Sequence, residues 1–241
     1  MLENTPEFWR SSWQRHMDTY FSALPRTGIF IKRILGKKIK SVLEVACGSS
    51  RDSRFLAKKK FSVTASDFDC ITLDFLREKK NPENVNYIIA DATELPFVPK
   101  KFDLVFHNGF FIYFSENTKI IQFLKEQERV AKKFVLVIVH NNQNTRLKNQ
   151  FLKLAKNDPL YDIRFFTCEE LKMIVDSAEI GYKKISFLKF GGPGDIFYNK
   201  VILRIIPNIF YPVRELVVPF FYHYQTWEQT ERIACLIELD T

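Results

Sequence analysis

Between Ser41 and Asn141 the chain alternates short, almost continuously apolar runs with segments of helical spacing, and this alternation restricts the fold more than any other feature. The runs are SVLEVAC, SVTASD, VNYIIAD, FDLVFHNG and FVLVIVHN. They are rich in β-branched residues and lack a polar face, as strands covered on both sides must. Between them DSRFLAKKK, CITLDFLREKK and TKIIQFLKEQERVAKK carry helical spacing. Parallel neighbours need a crossover of about a dozen residues or more, usually a helix. The pattern therefore predicts an α/β, Rossmann-like doubly wound sheet with right-handed crossovers and helices on both faces.

The flanks extend this plan. Residues 1–40 read as a helical, aromatic cap that includes Trp9, Trp13 and Tyr20 and covers the ligand side. Residues 41–141 are the core, and residues 142–241 the remaining half of one domain spanning 1–241. TCEELKMIVDSAE predicts a late helix, with Thr167 as N-cap and Glu170 completing a capping box. YKKISFLKF and ERIACLIEL read as two final strands. Residues 191–230 between them are apolar, aromatic and basic, with breaks at Pro207, Pro212 and Pro219. That segment reads as a lid over an apolar or aromatic acceptor, with transient membrane-surface contact or plain packing on the sheet as rivals.

Charge and cysteine content exclude some classes. The net charge of +8 is spread through scattered lysine clusters and reads as solvated surface rather than a nucleic-acid stripe. The four cysteines are far apart and form no zinc pattern, so no metal and reduced thiols are expected. MLENTPEFWR is not a signal peptide, and no apolar run approaches a membrane span. A cytoplasmic location is the expectation.

The stretch EVACGSSRDS follows the first strand, where doubly wound sheets bind ligands outside the carboxyl ends of their strands. Its small residues allow close approach to the backbone. A dinucleotide fingerprint is absent, because Ala46, Gly48 and Arg51 stand where three glycines would. The second strand ends in Asp67, placed to accept from ribose hydroxyls or to cap a helix. The third ends in Asp91, placed to accept from an adenine amino group beside the Ala92 amide, or to close a turn.

Taken in order, LEVACGSSRDS, ASDFD, ADATELPF and KFDLVFHNGFFIYF resemble the motifs of class I S-adenosylmethionine-dependent methyltransferases of the small-molecule type. The resemblance covers about Val42 to Asn141. It implies a seven-stranded sheet whose seventh strand is antiparallel, with S-adenosyl-L-methionine as cofactor and S-adenosyl-L-homocysteine as product. It implies that Glu44, Ala46 and Gly48 face the methionine part, Asp67 the ribose, and Phe68 the adenine. Asp91 and Ala92 read the adenine edge, and Asn108 lies near the sulfonium. The chain departs from the family at Ala46 and Ser50, where glycine is frequent, and at Tyr113, where many relatives carry histidine. His107, Tyr113 and His140 are the candidate general bases, each at or beyond a strand end. HNGF stands where base-amine methylases carry an Asn/Asp-Pro-Pro-aromatic motif, and no cysteine lies near the fourth or fifth strand. Nucleic acid is thereby disfavoured against a small, apolar or aromatic acceptor. RNA or protein methylation and an inactive cofactor-binding scaffold are the alternatives.

Overall fold

The computed structural model describes residues 5–79, 84–193 and 225–240. Two helices come first, α1 (Pro6–Ser22) and α2 (Arg26–Leu35). Thr5 caps α1 by accepting from the Phe8 amide, and Pro6 sits in the first turn, where its missing N–H costs nothing. The alternating core follows as β1 (Ser41–Val45), α3 (Arg51–Lys58), β2 (Ser62–Asp67), α4 (Cys70–Glu78), β3 (Asn86–Ile89), β4 (Phe102–Asn108), α5 (Asn117–Val130) and β5 (Ala131–His140). Next come α6 (Thr145–Leu154), α7 (Cys168–Ser177), β6 (Tyr182–Phe190) and β7 (Arg232–Leu239). The seven strands lie in the order β3-β2-β1-β4-β5-β7-β6. The core strands pair in parallel, while β7 runs antiparallel to both β5 and β6.

Strand alternation explains why the runs are apolar throughout. Leu43, Val105, Val135 and Ile237 face one core layer with Ile120, Ile174 and Phe111. Their immediate neighbours Val42, Leu104, Leu136 and Leu236 face the other, with Ile31, Leu56 and Leu73. Each strand thus supplies two layers by its period of two. At the lower end of the sheet, Asp103 accepts from the Lys40 amide at 2.7 Å and pairs with Lys133 at 3.0 Å. The loop after β3 is fastened from α5. Arg129 donates to the Phe97 and Leu95 carbonyls at 2.8 and 2.9 Å, and Glu126 accepts from the Leu95 amide at 2.6 Å.

Two boundaries differ from the sequence pattern. AKK, read as the end of a helix, begins β5, because Ala131 turns to extended backbone and the helix runs into the strand without a loop. No element is assigned to 145–154 from sequence, and α6 forms there, N-capped by Asn144, which accepts from the Leu147 amide at 2.9 Å. None of its residues is fully buried. Most of the 191–230 segment read as a lid (residues 194–224) lies outside the described residues.

The capping box of α7 is present as expected: the Thr167 hydroxyl accepts from the Glu170 amide at 3.1 Å, and Glu170 accepts from the Thr167 amide at 3.4 Å. Thr167→Ala removes it and should destabilise the protein by about 1 kcal/mol, read as a lower urea midpoint with an unchanged slope.

Candidate active site

The carboxyl end of β1 opens into a tight turn in which Ala46, Gly48 and Ser50 all have left-handed backbone, with φ of 52°, 48° and 52°. Only glycine takes that conformation without a Cβ clash, so Ala46 and Ser50 each hold strain of about 1 kcal/mol or more. These are two places where the motif departs from glycine, and the turn keeps its shape there regardless. What holds it is Asp67 at the end of the adjacent β2. One carboxylate oxygen accepts from the Gly48 amide at 2.9 Å and the other from the Asp69 amide at 3.2 Å. Glu44, inside β1, accepts from the Ser53 amide at 3.2 Å and from its hydroxyl. Asp52 accepts from the Gly28 amide at 2.9 Å and so ties α3 to the cap helix α2.

These groups border a cavity of about 430 Å³ above the carboxyl ends of the strands. The expected cofactor-binding residues Glu44, Ala46, Gly48, Asp67, Phe68, Asp91, Ala92 and Asn108 all line it. Phe68 is 41% exposed, a bare aromatic face at the cavity rim. Asp91 uses one oxygen to close its turn, accepting from the Thr93 amide and hydroxyl at 2.7 Å each. Asn108 donates to Asp52 at 3.4 Å and accepts from Arg232.

The three candidate bases separate. Tyr113 and His140 line the cavity. His107 does not. It is fully buried, packed on Phe111 with ring centroids 4.0 Å apart, and its Nδ1 accepts from the Phe110 amide at 3.4 Å. The strand period explains the difference: Asn108 faces the cavity, so His107, one residue earlier, faces the core. Tyr113 donates to the Leu160 carbonyl at 3.3 Å and meets the Trp9 ring edge-to-face at 4.6 Å.

Burial sets the protonation pattern. It pushes Glu44 up to about 8, helped by the Asp52 carboxylate, and Asp67 up to about 6 against the lowering effect of the Gly48 and Asp69 amides. It drives His107 down to about 3 and holds His140 well below the usual histidine range, with Arg232 and Arg26 adding to the effect. Tyr113 is raised by burial. Arg232 is lowered to about 10 by burial and by the Arg26 and Arg51 guanidiniums. Arg232 and Arg51 were not apparent as site residues from sequence. The only sign of Arg232 is a cation opening a mostly apolar strand.

Residues 42–133 match the family model described as a methyltransferase domain. This core is similar to a methyltransferase domain. The fold around it agrees. A structure of an S-adenosylmethionine-dependent methyltransferase, possible histamine N-methyltransferase, from Thermotoga maritima aligns over 97% of this chain and 98% of its own, with a TM-score of 0.63 and 14% identity. One of an S-adenosylmethionine-dependent methyltransferase from Archaeoglobus fulgidus aligns over 94% and 99%, with a TM-score of 0.62 and 15% identity. Among curated proteins, a fatty-acid O-methyltransferase of Mycolicibacterium smegmatis is 34% identical over 68 residues, 27% of this chain and 25% of that one. The matched stretch thus covers about a quarter of the relative's length. The overall fold is that of the class I S-adenosylmethionine-dependent methyltransferases. Among the described residues no helix is long and apolar enough to cross a membrane, and no cluster of potential metal ligands forms.

The Trp13 indole of the cap covers the domain's turn. A Cβ built on Gly48 would lie 2.3 Å from its Cζ2. Gly48→Ala should therefore cost about 1–2 kcal/mol of backbone strain plus the displacement of Trp13. In a Trp13→Ala background only the backbone part should remain, a difference that urea denaturation of the single and double variants measures.

Proposed function

We infer that the protein transfers a methyl group from S-adenosyl-L-methionine to a small acceptor with an apolar or aromatic body. The observation that carries this reading is the convergence of Glu44, Gly48, Asp67, Phe68, Asp91 and Asn108, from four strand ends, on one cavity. The residues fit the cofactor: a glycine cradle for the methionine part, a buried carboxylate for the ribose, and an exposed aromatic face for the adenine. When bound, S-adenosylmethionine supplies an electrophilic methyl group on a positively charged sulfur.

The chain's own part is binding, orientation and exclusion of water. Asp67 accepts from the ribose hydroxyls, Asp91 and Ala92 read the adenine edge, and Phe68 packs on its face. Glu44, with Ala46 and Gly48, faces the methionine amino end. Asn108 stands next to the sulfonium side. Much of the rate comes from holding donor and acceptor in line. At neutral pH Tyr113 keeps its proton, and His140 is a weak base. The acceptor therefore presents a lone pair without help from a strong base of the protein. The far wall, with Ile112, Phe151, Leu160 and Ile163, suits an apolar body. The partial match to a fatty-acid O-methyltransferase points in the same direction. Supplying labelled S-adenosylmethionine and a metabolite extract tests the reading: a methylated small molecule found by mass supports it, and cofactor binding without any product favours an inactive scaffold.

The two raised carboxyls make a second, independent test. Ribose hydroxyls and a cationic amino group both favour ionised carboxylates, so binding draws the Asp67 and Glu44 pKa values down from about 6 and about 8. Affinity should accordingly rise as pH increases from 5 through 8, and binding at pH 7 should release protons. Calorimetry in buffers of different ionisation enthalpy reads that release. Asp67→Asn should flatten the lower part of the profile and weaken binding by about 1–3 kcal/mol. Affinity unchanged between pH 5 and 8 would sink the assignment of these two residues.

A further inference from the structure

We propose that Arg232 anchors a carboxylate on the methyl acceptor, so that the acceptor is an acid with an apolar body. The proposal rests on the methyltransferase reading of the cavity and names the acceptor class within it.

Arg232 opens β7, opposite His140 of β5, and lines the cavity. Three guanidiniums gather around this end of the site, and they are not equivalent. Arg26 is paired with Glu231 at 2.9 Å, and Arg51 with Asp52 at 3.4 Å. Arg232 has a single hydrogen bond, to the neutral Asn108 amide oxygen, and no ion pair with any carboxylate among the described residues. Asp158, near the same end, is engaged by His16 at 2.7 Å and by Arg15 at 3.7 Å.

A guanidinium carries five donors and stays charged at any physiological pH. Largely enclosed, with two other cations nearby and the already paired Glu231 as its neighbouring carboxylate, it loses hydration without an ion pair of its own, an arrangement that proteins ordinarily avoid by pairing. The missing partner is an anion of planar, bidentate shape, which is the geometry of a carboxylate. The location separates this anion from the cofactor's own carboxylate. The cofactor cradle lies at the ends of β1, β2 and β3, whereas Arg232 opens β7 beside β5 and reaches the edge of the cradle only through Asn108 of β4. The same cavity is lined by Ile112, Phe151, Leu160 and the Trp9 ring, apolar surfaces that suit the rest of an acid's body.

The test uses the full chain and its tryptophan fluorescence, since Trp9 and Trp13 line the cavity. Wild type, Arg232→Leu and Arg232→Lys are titrated with S-adenosylhomocysteine. Each is then titrated with decanoate and with its uncharged counterpart decan-1-ol, both with and without the nucleoside. The wild type should bind decanoate about tenfold or more tightly than the alcohol, the scale of one charge-assisted contact. Arg232→Leu should lose that preference and leave alcohol binding unchanged, Arg232→Lys should keep only part of it because an ammonium cannot bind the carboxylate through two parallel bonds, and all three should bind S-adenosylhomocysteine alike. Melting curves close to that of the wild type certify that both variants are folded, and Arg232→Lys decides the matter should Arg232→Leu not fold.

Equal binding of acid and alcohol by the wild type, no binding of decanoate, or an acid preference that survives in Arg232→Leu overturns the proposal. So does a loss of S-adenosylhomocysteine affinity in Arg232→Leu, which would assign the guanidinium to the cofactor. Failure of the wild type to bind S-adenosylhomocysteine is a different result. It removes the methyltransferase reading, while the decanoate titrations without nucleoside still decide the role of Arg232.

Discussion

The hydrogen bond from the Gly48 amide to the Asp67 carboxylate joins the ends of β1 and β2, and the ligand side of the molecule is arranged around it. It is made between a backbone group in a left-handed turn and a side chain that burial would otherwise neutralise. The strained backbone at Ala46 and Ser50 persists because this bond, the strand pairing on both sides of β1 and the Glu44–Ser53 contact over-determine the path of the chain. The turn stands at the point where the sheet's order reverses, with β2 on one side of β1 and β4 on the other. Loops leave in opposite directions there, and a crevice opens without any further device.

Charge in the site is balanced against stability. Asp67 and Glu44 have pKa values above their unfolded ones, so the stability they contribute is full at low pH and is lost as pH rises through about 6 and about 8. His107 works in the other direction. Its pKa is depressed to about 3, so its contribution is present above its unfolded value and falls away as the solution is acidified below it. The unliganded protein thus holds acids that resist ionising and a histidine that resists protonation. A cationic ligand relieves the first of these.

How much could be read from sequence follows from the range of the interactions. Strands such as SVTASD and YKKISFLKF were legible because burial on two faces, or alternation, writes itself into consecutive residues. The residues around Gly48, Asp67 and Asp91 were legible because the first βαβ units bring them together by short-range connections. His107 and Asn108 show the limit. Both stand at a strand end, and only the pleat decides which one meets the cavity. α6 was passed over although Leu147, Phe151 and Leu154 recur at helical spacing after the Asn144 cap, a signal the sequence did carry. Arg232 was hidden because its place depends on pairing between β5 and β7, and its bond to Asn108 joins residues 124 positions apart.

That last pairing has a consequence for biosynthesis. β7 is inserted between β5 and β6, although it follows both in the chain. While the ribosome has not yet released residues 232–239, β5 has its full length of apolar backbone but no neighbour on one side. Such an open edge invites pairing with other chains. The nascent protein can complete its β1–β4 half early, yet the wall opposite that half must wait for a strand that follows β5 and β6 in the chain. The edge of β5 is thus the part of the sheet left open longest during synthesis.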